Sequence, residues 1–131
     1  MAAELMQKKS AHSVPATVDK LQAAVEKAGA KVFARVDHAA GAKTVDMELR
    51  PTVMLMFGNP ALGTPALQAA QSAGLDLPLR VVVYEDANGD VILAYHDPKT
   101  LAAIHGVPAN AEVLVKMTGA LDKLTGVAVA P

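Results

Sequence analysis

The chemistry available to this 131-residue sequence is concentrated in four histidines, in Arg50 and Arg80, and in a loop flanked by Gly58 and Gly63. The two glycines have the G-x-x-x-x-G spacing of a phosphate-binding loop. They follow an apolar run and precede a helical segment. Such a loop needs Lys and then Ser or Thr directly after the second glycine, but Thr64 and Pro65 stand there. Pro60 and Pro65 also remove two backbone N–H donors. The segment therefore reads as a rigid strand-to-helix turn, with at most a weak anion site at the helix start. The histidines are His12, His38, His96 and His105. No pair has the i, i+4 spacing of a helical zinc site, and H-E-x-x-H is absent. His38, His96 and His105 are the metal candidates, because element ends collect functional groups. The plainer readings make Asp97 a helix cap and His105 a partner for a helix C-terminus. Ser10, Ser13 and Ser72 are the only serines, and none sits in a G-x-S-x-G elbow. Glu85 and Asp86 are neighbours on a strand and point to opposite faces, so they do not share a proton. For Arg50 and Arg80, an ion pair is the preferred reading over ligand binding.

The elements that must position these residues are built from small aliphatic material. Twelve Lys and Arg balance thirteen Asp and Glu, which excludes the strongly basic footprint of a typical nucleic-acid binder. An apolar share of 52% excludes charge-driven disorder. The absence of Cys excludes disulfides, thiol nucleophiles and thiolate metal sites. There are 26 Ala, 16 Val and 14 Leu, against two Phe, two Tyr and no Trp. No stretch approaches the ~20 apolar residues of a membrane span. The N-terminus has no apolar signal core. The expectation is a cytoplasmic chain as the sequence stands, or an exported one whose leader has been removed. Residues 1–4 are expected to be disordered or extraneous to the domain, which otherwise fills 1–131.

Leu5 to Ser10 reads as a short first strand. Val14, Val18, Leu21, Val25 and Ala28 form a helical stripe, with Ser13 as N-cap and Gly29 as stop. Residues 31–37 alternate as a strand. Residues 38–51 are ambiguous, with one helical turn conceivable over Ala39 to Thr44. The apolar run 52–57 reads as a strand covered on both faces. Thr64 is expected to cap a helix with Pro65 at its first position and Gly74 at its end. Residues 79–85 and 91–95 form a hairpin, with a type I turn and glycine bulge at Asp86 to Gly89 preferred over a type I′ turn at Asn88-Gly89. Asp97-Pro98 opens a short helix closed by Gly106, and Asn110 caps a last helix. The order β-α-β-β-α-β-β-α-α indicates an α+β single domain, with a mainly antiparallel sheet of about five strands and helices on one face.

An ordered series of short motifs carries a family resemblance. It runs Asp37-His38-Ala39-Ala40-Gly41-Ala42, Leu49-Arg50-Pro51, Phe57-Gly58-Asn59-Pro60, Gly63-Thr64-Pro65 and Leu77-Pro78-Leu79, then Glu85-Asp86 with Gly89, Tyr95 and Asp97-Pro98. The chain resembles the DUF302 family of small α+β proteins over roughly residues 13 to 107. The resemblance implies a small, often dimeric protein, in many members exported. It implies no reaction and no cofactor. The motif positions are His38, Arg50, Asn59, Thr64, Asp86 and Tyr95. The chain departs from the common pattern at Ala66-Leu67-Gln68 and at Ala103-Ile104-His105, where a basic residue usually precedes the histidine.

The functional expectation is a non-enzymatic homodimeric binding or interaction module, without cofactor, nucleic acid or membrane span, and with a small-molecule ligand left unspecified. The alternative is a small anion or metal site near His38, Arg50 and Asn59, with Thr64 and Tyr95 as further candidates. A third reading, an enzyme, would use His38 as general base and Arg50 as anion clamp.

Overall fold

The five strands alternate residue by residue between a side that meets helices and a side that does not. The structure, a computed structural model, describes residues 5–131. The expectation for residues 1–4 lies outside the described residues. The elements in order are β1 (Leu5–Lys9), α1 (Val14–Lys27), β2 (Lys31–Asp37), α2 (His38–Lys43), β3 (Thr52–Gly58), α3 (Pro60–Ala69), a 3-10 turn (Gln71–Leu75), β4 (Leu79–Glu85), β5 (Val91–His96), α4 (Lys99–His105) and α5 (Glu112–Val129). The sheet order is β1-β5-β4-β3-β2, and every pairing is antiparallel. The fold is a single α+β domain, as the sequence pattern predicts.

On the covered face, Val53, Leu55 and Phe57 of β3 meet Val81 and Val83 of β4 and Leu93 and Tyr95 of β5. The helical stripe Val14, Val18, Leu21 and Val25 of α1 packs on them together with Leu121 and Ala128 of α5. Fully burying each larger aliphatic or aromatic side chain contributes about 1.5–3 kcal/mol. A second cluster joins Ala66, Ala73, Leu101, Val107, Leu114 and Met117, which ties α3, the 3-10 turn and α4 to the first half of α5. Leu79 packs against both clusters.

The caps show where local chemistry prevails and where it does not. The Ser13 hydroxyl accepts from the Ala16 N–H, and Gly29 takes φ +82° after α1. Asp97 accepts from the Lys99 N–H, and Gly106 closes α4 at φ +77°. In the hairpin the Asp86 carboxylate accepts from the N–H groups of Asn88 and Asp90, and only Gly89 has positive φ. That is the type I turn with a glycine bulge. The ambiguous segment contains α2, capped by Asp37 accepting from the Ala40 N–H.

Three boundaries differ from expectation. The helix expected to start at Thr64 starts at Pro60, because the Asn59 side chain caps it by accepting from the Ala61 N–H. Pro65 therefore lies inside α3 and has no N–H to return to the Ala61 carbonyl. That helix stops at Ala69, and Gly74 lies inside the separate 3-10 turn Gln71–Leu75. The last helix starts at Glu112 with Ala111 at its cap position, so Asn110 is not its side-chain cap.

Candidate functional site

Antiparallel pairing gives the sheet two ends, and the candidate polar residues divide between them. Asp37 pairs with Val53, so His38 lies beside the start of β3, near Arg50. Asn59 follows the other end of β3. The nine residue steps from Arg50 to Asn59 span about 30 Å when extended. His38, Arg50 and Asn59 thus do not share one surface, which corrects the expectation of a joint site. His38 is exposed at the first position of α2. Arg50 is exposed and donates from Nε to the Glu85 carbonyl oxygen at 3.1 Å. That bond fastens the chain entering β3 to the end of β4, where the expected carboxylate partner is replaced by a backbone oxygen. Tyr95 is buried in the main core, so its place is structural.

The amide groups at the start of α3 are consumed internally. Pro60 has none, Ala61 N–H goes to the Asn59 side chain, and the N–H groups of Leu62 and Gly63 both go to the Asn59 carbonyl. The weak anion site expected there lacks its donors.

The Asn59 end also carries a polar cluster built without a G-x-S-x-G elbow. His105 projects from the end of α4 with its side chain 4% exposed. Its Nε2 lies 2.5 Å from Asp76 Oδ2, and its Nδ1 lies 2.8 Å from Ser72 Oγ. Asp76 Oδ1 also accepts from Arg80 at 3.2 Å. A neutral ring with its proton on Nε2 satisfies both contacts: it donates to the carboxylate and accepts from the hydroxyl. Hydroxyl, imidazole and carboxylate therefore stand in series, as in acyl-transfer enzymes. The three come from positions 72, 76 and 105, and only packing of the 3-10 turn on α4 brings them together. The adjoining cavity, about 140 Å³, is lined by Asp76, Arg80 and His96 but not by Ser72 or His105. A nucleophile must face a space where a substrate carbonyl can sit, and Ser72 does not line this one. The cluster instead satisfies a nearly buried imidazole and staples the 3-10 turn to α4. Arg80 thus has the ion pair expected of it.

With both ring nitrogens engaged, His105 offers no free metal ligand. His96 lies exposed at the end of β5. Among the described residues no group of three or more His, Asp and Glu side chains is arranged to hold a metal ion.

A second cavity, about 320 Å³, opens at the same end of the sheet. Asn59 and Thr64, two of the sequence candidates, line it together with Leu62, Leu67, Leu77 and Met117. Its apolar walls are drawn from residues whose spacing announces only core.

Comparison with known proteins agrees with this architecture. The family described as "Domain of unknown function DUF302" matches residues 6–124. A crystal structure of an uncharacterized conserved DUF302 protein from Bacillus stearothermophilus superposes with a TM-score of 0.86 at 19% identity, covering 98% of this chain and all of that one. Proteins of Brucella suis and Brucella abortus named "Fluoride-specific ion channel FluC 1" are each 42% identical over 107 residues, 82% of this chain. The chain spans 42% and 40% of their respective lengths.

Proposed function

The chain belongs to the DUF302 family, and on that premise we propose that it is a non-enzymatic interaction module that works as a homodimer closed over the uncovered face of its sheet. One observation carries this reading: the uncovered face is apolar along its register rows. Val36, Met54, Val82 and Ala94 are consecutive partners across four strands, and the row ends at Gln7. The neighbouring rows set Ala34 beside Met56 and Arg80, and Thr52 beside Tyr84, Ile92 and Lys9. Neither buried cluster includes any of these side chains, although Ala94 is itself sealed by its neighbours and Met54, Met56, Val82, Tyr84 and Ile92 are half-buried. An antiparallel sheet with one solvated face normally alternates apolar and polar residues. Here β3 and β4 put Met54, Met56, Val82 and Tyr84 on that side, interrupted by Thr52 and Arg80 near the strand ends, a pattern close to that of a sheet covered twice.

Size favours a second copy as the cover. Five strands about 4.8 Å apart and about 20 Å long make a footprint of roughly 500 Å². That is of the same order as the ~800 Å² per partner of a stable interface. A face covered by its own copy needs no other gene product, and two-fold pairing of like surfaces is the commonest assembly.

The channel function named for the Brucella relatives is a property of the larger proteins. Conduction across a bilayer requires elements that span it, and no helix among the described residues is long and apolar enough to do so. We assign conduction to the remaining three-fifths of those proteins and subunit association to the shared part.

Sedimentation velocity at micromolar concentration tests the proposal. The expected species has twice the chain mass. A monomer throughout that range overturns it.

A further inference from the structure

We propose that the 320 Å³ cavity between α3 and the start of β4 is a binding site for a small neutral ligand, an aromatic or short acyl group carrying one hydrogen-bonding oxygen or nitrogen. The cavity lies at the seam of the two apolar clusters. Met117 belongs to the second cluster, Leu62, Leu67 and Leu77 pack against it, and Leu79 touches both. A gap between two cores forfeits the dispersion contacts that would otherwise fill it. At 320 Å³ this one falls at the low end of the range for small-molecule pockets, about 300–1,000 Å³.

The chemistry of the walls selects the guest. No Lys, Arg, His, Asp or Glu lines the cavity, so an ion entering it would lose hydration without gaining a counter-charge. The polar groups are the Asn59 amide and the Thr64 hydroxyl. Asn59 uses its Oδ1 for capping, which leaves its NH₂ as a donor. The Thr64 hydroxyl makes no side-chain hydrogen bond among the described residues. One donor and one donor-acceptor beside leucine walls suit a neutral body with a single polar handle.

The backbone keeps the space open. Gly63 lines the cavity inside α3, and a Cβ placed on it meets no atom within 4 Å. Gly58 also contributes to the wall. There a Cβ would come 3.4 Å from Pro78 Cβ and 3.8 Å from a Phe33 ring carbon. The β2 register shifts between Val32 and Ala34, and such a bulge re-aims the extra side chain. Phe33, the extra residue, is one of the lining residues.

Indole is a suitable probe, because the chain has no Trp and the emission of bound indole stands alone. Titrating the full chain into indole is expected to produce a saturable blue shift. Gly63→Leu should weaken that binding by on the order of tenfold or more, since its side chain grows into the cavity while the helix gains propensity. Gly119→Leu, at another helical glycine with nothing within 4 Å of its Cβ, should bind as the parent does. Indole-3-acetate should bind about tenfold more weakly than indole because of its charge. No blue shift at millimolar indole overturns the proposal. So does unchanged binding in a folded Gly63→Leu variant, or equal affinity for the anion. Loss of binding in Met54→Lys with retention in Gly63→Leu would transfer the site to the open sheet face and also overturn it.

Discussion

The two faces of the sheet are built from alternate residues of the same strands, yet only one of them has helices. In β3, Val53, Leu55 and Phe57 are each no more than 6% exposed, while Met54 and Met56 between them are half-buried. In β4, Val81 and Val83 are sealed and Val82 is not. Hydrophobicity does not distinguish the sides at these positions, since both are apolar. The difference is that α1 and α5 present complementary stripes to one side, and neither core cluster extends to the other. Under the proposed homodimer, this open apolar face is the surface that a second copy covers.

That comparison can be broken or sharpened by substitution. The largest effect belongs to the covered face. Leu55→Ala should lower unfolding free energy by about 2–5 kcal/mol, the cost of lost burial plus a cavity, as read from urea denaturation. A cost near that of a surface change would mean that the sealed face is not the core. On the open face, Met54→Lys should weaken dimerisation on the order of 100-fold, because an unpaired ammonium would be buried at the interface. Sedimentation over a concentration series measures this. The thermal midpoint at the lowest concentration should stay near that of the parent monomer. An unchanged association constant would sink the role given to that face.

A smaller effect tests how the covered side tolerates polarity. Thr17 of α1 is fully buried, with its hydroxyl 2.6 Å from Ser10 Oγ and within bonding distance of the Ser13 carbonyl. Thr17→Val keeps the shape and removes both bonds. Ser10 retains the His12 N–H as donor, so the expected loss is about 1–2 kcal/mol by chemical denaturation. No loss would show that the pair is neutral. The smallest effect lies on the exposed side of α5, where Lys116 and Glu112 pair at 3.2 Å. Glu112→Gln should change stability by no more than about 0.5 kcal/mol, and a larger change in thermal midpoint would reveal a contact beyond that pair.

Much of the scaffold is legible in the sequence where the signal is local. Ser13, Gly29 and Gly106 act where their residue types say they should, because a cap or a left-handed turn is decided within three or four residues. The Asp86 turn is legible for the same reason. Thr64 and Asn110 mislead, since Asn59 and Ala111 occupy the true cap positions. The proline at Pro65 invited a helix start, but a stronger cap stands six residues upstream at Asn59, and the loss of one internal N–H does not stop a helix already capped and packed on α5.

The candidate site was the least legible part. His38 and Arg50 lie at one end of the sheet and Asn59 at the other, a separation that only register can specify. The Ser72, Asp76 and His105 cluster has no sequence signature, because its members meet through the docking of a 3-10 turn on α4. Asn59 and Thr64 are at the cavity as singled out, but its walls are Leu and Met residues that any reading assigns to the core.

By itself the sequence determined the class of fold, the alternation of elements, the turn at Asp86 and the aliphatic character of the interior. Each follows from periodicity or from the preferences of a few adjacent residues. The tertiary structure decided which apolar face is covered, which polar groups meet and where space is left between the two clusters. Those outcomes depend on which strands pair, in which register, and on how helices distant in sequence seat against them. No window of neighbouring residues contains that information.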